Sequence, residues 1–115
     1  MSERLIIKDF IKSDLAVTSD KAAHVFDYLS EKIKKNEPVL LDFTGISVLT
    51  TAFLNIAIGE LYLLGSPEDL NKFIKFDPKT ISNLQYSKIK LVMQNSKEKM
   101  TPGYQERIDE VTLNG

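Results

Sequence analysis

The stretch VLLDFTGISVLTTAFLNIAIGELYLL, residues 39–64, constrains this chain more than any other, because it holds a long apolar run broken at one glycine turn and two adjacent threonines. Residues 39–43, VLLDF, are too uniformly apolar for a half-exposed strand and predict a central strand covered on both faces. The TGIS after it reads as a turn in which Gly45 takes positive φ. Thr50 or Thr51 then starts a helix expected to run to about Leu64, with Gly65 past its end and Pro67 beyond. Thr50, Thr51, Asn55, Glu60 and two glycines make residues 46–65 too polar for a membrane span, so burial or cover by a partner is the expectation.

The flanking segments set a fold class. RLIIKDFI, residues 4–11, reads as a strand, with LAVT, residues 15–18, as a second strand paired to it across a polar turn. SDKAAHVFDYLSEKIKK predicts an amphipathic helix capped by Ser19, with Ala22, Phe26, Leu29 and Ile33 on one face and lysines at its C-terminal end. NKFIKFD, residues 71–77, reads as a further strand; Asp77 and Pro78 open a last helix carrying Ile81, Leu84, Ile89, Val92 and Met93. Strands alternating with helices predict an α/β domain: a mixed, partly parallel sheet of about four to five strands with about three helices packed on it. One domain is expected over residues 1–102, with residues 103–115 a tail that is loose or adds a short strand.

Several function classes lose support. Fifteen basic residues against sixteen acidic ones leave no positive excess to condense on phosphate backbones, so no nucleic-acid partner is expected. The chain has no cysteine and a single histidine, His24, which falls away from the apolar face of its helix. No metal site, cofactor or catalytic residue is therefore expected, and no nucleophile elbow or phosphate-cradling glycine loop is present. The N-terminal MSERLIIKDF has neither the apolar stretch of a signal peptide nor a transit peptide's avoidance of acidic residues, so a cytoplasmic location is expected, off the membrane. Asp42 interrupts an apolar strand near its C-terminal end, where such sheets place ligands; the favoured reading is a hydrogen bond to the backbone of the following turn.

On the expected helix, Phe53, Leu54, Ala57, Ile58, Leu61 and Leu64 form the core-facing arc. The opposite stripe holds Thr51, Ala52, Asn55, Gly59 and Tyr62, flanked by Ile56 and Leu63, with no lysine, arginine or aspartate and with Glu60 at its edge. A solvated helix face normally carries charge, so contact with a protein partner or a second copy is favoured over cover by another part of the chain. One threonine suffices as a cap; two are not needed for that purpose.

The order strand, helix, apolar strand ending in Asp42 and Phe43, glycine turn, then a hydroxyl-led apolar helix resembles STAS domains, the fold of the anti-sigma-factor antagonists. VLLDFTGISVLTTAFLNIAIGEL is most similar to the STAS-like family of unknown function. In the antagonists this helix begins Asp-Ser-Ser-Gly or similar, and a histidine-kinase-like ATPase phosphorylates the first serine. The resemblance lays Thr50 on the aspartate, Thr51 on that serine, Ala52 on the second serine and Phe53 on the glycine. It implies a non-catalytic interaction domain whose partner is such an ATPase or an anti-sigma-type regulator, with Thr51 and then Thr50 as phosphorylation candidates. Asn55, Ile56, Gly59, Tyr62 and Leu63 would form the contact surface, with Asp42, Thr44 and Gly45 in support. The alternatives are a constitutive homodimer in which both threonines only cap, and a small-molecule or nucleotide sensor near Asp42 and Thr44.

Overall fold

A computed structural model describes residues 3–99, with side chains as far as Ser96. The tail and the domain boundary expected at residue 102 lie outside the described residues. Three strands, β1 (Glu3–Ile6), β3 (Val39–Asp42) and β5 (Ile74–Phe76), form a parallel sheet in the order β1-β3-β5. The register sets Leu5 beside Leu41 and Leu41 beside Phe76. Because the pleat alternates, Leu5, Val39, Leu41, Ile74 and Phe76 share one face, and Arg4, Leu40, Asp42 and Lys75 share the other.

The first face is the floor of the core. Val39 and Leu41 are fully buried, and they belong to one apolar cluster with Ala22, Val25 and Leu29 of helix α2 (Ser19–Lys34) and Phe53, Leu54 and Ala57 of helix α3 (Thr51–Ala57). The other face is open: Leu40 is half-buried and its neighbours Arg4 and Lys75 are exposed. VLLDF is thus the central strand expected, but it is fully covered on one face only. Crossovers between parallel strands need helices, and α2 and α3 supply them from the covered side.

The α/β class holds with parallel sheet and packed helices, while several local boundaries move. Residues 7–11 are not the end of a first strand but a short helix, α1 (Ile7–Ile11), which buries Ile7 and Ile11 one turn apart. Strand β2 (Leu15–Ala16) consequently does not fold back on β1. It pairs in parallel with β4 (Val48–Leu49) as a separate two-stranded sheet, with Ala16 and Leu49 inward and Leu15 and Val48 exposed. Every strand pair described is parallel, where a mixed sheet was expected. The cap of α2 is Thr18 in extended conformation rather than Ser19.

The helix expected to reach Leu64 stops at Ala57 and continues as a 3₁₀ segment, Gly59–Leu63. GSP is not its terminator but the start of helix α4 (Pro67–Phe73): Ser66 Oγ accepts from the Asp69 N–H at 3.2 Å and Pro67 sits at the first helical position. The strand expected from residue 71 therefore begins only at Ile74. Asp77 does act as a cap, accepting from the Lys79 N–H, but it opens a 3₁₀ turn (Pro78–Thr80) ahead of helix α5 (Asn83–Lys99). Gly45 takes φ +83 in a turn closed by the Ile46 N–H donating to the Phe43 carbonyl at 3.1 Å.

If β3 is the central core element, Leu41→Ala should cost about 2–5 kcal/mol in urea unfolding with an unchanged m-value, whereas Leu40→Ala on the open face should cost clearly less.

Candidate functional site

The two threonines at the start of α3 do different work. Thr50 is extended at φ −100 and ψ 154, and its Oγ1 accepts from the Phe53 N–H at 3.1 Å. Its own N–H donates to the Ala16 carbonyl at 3.2 Å, which ties the cap to β2. Thr51 is the first residue of the helix, is exposed and takes no part in the cap. Its neighbours Ala52 and Asn55 are exposed as well, and so is Val48 just before the threonines.

The expected contact stripe divides here. Asn55 is exposed, Ile56 is half-buried against the core, and Leu63 is 71% exposed. Gly59 and Tyr62, expected on the partner-facing surface, are buried. The cover is intramolecular: a Cβ on Gly59 would lie 2.7 Å from Ser96 Oγ and 3.4 Å from a Val92 methyl of α5. Residues three apart eclipse in a 3₁₀ segment, so Tyr62 lies on the same side as Gly59. The charge-free stripe that pointed to a partner or second copy is, over this half, the seat of the last helix.

That helix also supplies two groups at the junction before α3. Lys88 Nζ donates to the Leu49 carbonyl at 2.8 Å, and Gln85 Nε2 donates to the Ile46 carbonyl at 3.2 Å. Local pattern reads Lys88 as a solvated lysine; its contact is 39 residues away in sequence and leaves no local signal.

The supporting residues sit at the strand ends. Thr44 N–H donates to Asp42 Oδ1 at 2.8 Å, the turn bond expected for this carboxylate. Arg4 Nη1 donates to Asp42 Oδ2 at 2.8 Å and to Asp77 Oδ2 at 2.9 Å, tying the three strands together on the open face. The Thr44 hydroxyl and N–H, and then Arg4, hold the Asp42 carboxyl below the usual range although burial pushes the other way. Arg4 first, then the Lys79 N–H, does the same for Asp77. With both Asp42 oxygens engaged, the strand ends offer a brace rather than an open ligand seat. His24 is exposed, lining an open cavity of about 380 Å³ with Phe10, Ile11, Lys12, Asp20 and Lys21, on α1 and α2 rather than at α3. Among the described residues no group of three or more histidines, aspartates or glutamates could hold a metal ion, and no helix is long and apolar enough to cross a membrane.

A parallel α/β core with an exposed hydroxyl leading a helix after the central strand is consistent with a STAS-like architecture. The family described as "STAS-like domain of unknown function (DUF4325)" matches residues 21–77, so a domain of that family is present in this chain. The matched span runs from α2 through β5 and contains both threonines, the turn and Asp42. No curated protein and no solved structure gives a significant match.

The division of labour has a direct check: Thr50→Ala should lower stability by about 1 kcal/mol, and Thr51→Ala should stay within about 0.5 kcal/mol of the parent in chemical unfolding. A second check uses pH. Asp42 and Asp77 have folded pKa values below their unfolded ones, so their stabilisation is present above about pH 4 and is lost as pH falls through the folded values. Arg4→Gln should therefore destabilise the domain at pH 7, with the gap from wild type closing as pH falls below about 4.

Proposed function

We propose that the chain is a non-catalytic cytoplasmic regulatory domain that binds a protein partner through the start of α3, with Thr51 as its phosphorylation switch. The observation that carries this reading is that Thr50 alone makes the cap, leaving Thr51 exposed on an uncharged surface with Ala52 and Asn55. A hydroxyl that the fold does not use is available to a kinase without cost to the fold. The partner of choice is a histidine-kinase-like ATPase or an anti-sigma-type regulator, as the STAS relationship implies. Asn55, the exposed part of Ile56 and Leu63 extend the contact surface, and the brace at Asp42, Thr44 and Gly45 holds the turn that delivers the helix.

The switch is electrostatic. Phosphate adds close to two negative charges, which remain solvated in the free domain and would have to be desolvated in a complex. Each 1.4 kcal/mol lost on docking is about tenfold in affinity, so binding can be switched without unfolding.

Protein recovered from its native cells should carry phosphate on Thr51 in a fraction of molecules and co-purify with an ATPase-type kinase, both read by mass spectrometry. With that partner in hand, Thr51→Glu and Asn55→Lys should each weaken binding at least about tenfold while unfolding stability stays within about 0.5 kcal/mol. Undiminished binding by both variants would overturn the surface assignment. Recovery of unmodified protein associated only with itself would favour a homodimer in its place.

A further inference from the structure

Helix α5 covers Gly59, yet few of its described side chains are buried. From Asn83 to Ser96 only Ile89, Val92 and Ser96 are buried. These three fall on one side of the helix at the usual spacing. Leu84 and Leu91 lie near the opposite side and are 67% and 51% exposed, so apolar side chains face both ways. The helix α2 is different: its buried Ala22, Val25 and Leu29 hold it to the core while its other side is largely charged.

Among the described side chains, α5 is further tied by two bonds, Gln85 to the Ile46 carbonyl and Lys88 to the Leu49 carbonyl, and water can replace both. The helix packs along α3 and the 3₁₀ segment, and its close approach is made possible at Gly59, where a Cβ would meet Ser96 Oγ at 2.7 Å. Sheet, α2 and α3 share one apolar cluster, to which α5 contributes Ile89 and Val92 among its described side chains, with Met93 packed against it. The segment matched to the STAS-like family also ends at residue 77, before α5 begins.

We propose that α5 is a detachable cover: it opens as a unit while the β1-β3-β5 sheet, α2 and α3 stay folded, and opening uncovers Gly59 and Tyr62 beside Asn55. Regulation follows from the geometry. The start of α3 is accessible in the closed state, and the full stripe from Thr51 to Tyr62 is accessible only in the open one. The regulatory consequence rests on the partner surface proposed above; the opening does not, and it is tested on the free chain.

Because the chain has no cysteine, a reversible lock can be built without side reactions. The 2.7 Å approach of the Gly59 Cβ position to Ser96 Oγ puts the two Cβ positions at most about 4 Å apart, within disulfide reach. Native-state hydrogen exchange is then followed in wild type and in Gly59→Cys/Ser96→Cys, oxidised and reduced. In wild type the amides of residues 88–95 should exchange at least about tenfold faster than those of Val39–Asp42, with one shared denaturant dependence smaller than that of global unfolding. Oxidation should slow residues 88–95 at least about tenfold and reduction should restore the fast rate. Exchange of residues 88–95 at the same rate as Val39–Asp42 in wild type would overturn the proposal, and so would a lock that leaves their exchange unchanged in a protein that keeps its β3 protection.

Discussion

Burial of Val39 and Leu41 in the middle of a parallel sheet is the constraint on which the rest of the structure depends. These side chains are fully buried, and the strand carrying them pairs on both sides, so its register fixes β1 and β5 at once. A one-residue slip would turn Asp42 toward the core and Leu41 toward the open face. The brace from Arg4 to Asp42 and Asp77 arises from the same register, since all three side chains come to one side where the strands end. Arg4 is close to half exposed, so solvent screens this brace and apolar burial remains the larger source of stability.

From the end of β3 the chain has little freedom. Gly45 turns it, β4 lies along β2, and Thr50 is tied to β2 before it caps α3. The start of α3 is thus placed by backbone bonds to an element more than thirty residues earlier in the chain, independent of any ligand. That is the arrangement an interaction domain needs, because a rigid surface loses less conformational entropy on binding. The near-neutral net charge gives the domain no strong electric field of its own.

The outer half of the stripe has a different status. Gly59 has no side chain because α5 crosses there, and the helix gives way to a 3₁₀ segment at the same point. An apolar, charge-free helix face has two explanations, a partner or another part of the chain, and the two look alike in sequence. Here the chain itself covers Gly59 and Tyr62, while Thr51, Ala52 and Asn55 remain open. A face that is half occupied from within and half free is suited to competition between an internal cover and an external partner.

Much of the frame could be read from residues alone. The strand at 39–42, the turn at Gly45, the long helix beginning near Ser19 and the cap at Asp77 each have a local cause, in apolar runs, glycine conformational freedom, helical spacing or capping chemistry. The local readings failed where two causes compete over few residues. Ile7 and Ile11 suit a strand by composition and a helix by spacing, and NKFIKFD hid the end of a helix that Ser66 and Pro67 had begun. What the sequence by itself determined was the α/β class, the central strand and a hydroxyl-led helix after it, because those depend on neighbours in the chain. Which threonine caps, which half of the stripe is covered and where Lys88 reaches were decided only by tertiary structure, because each depends on contacts between residues remote in the chain, and local pattern carries no record of them.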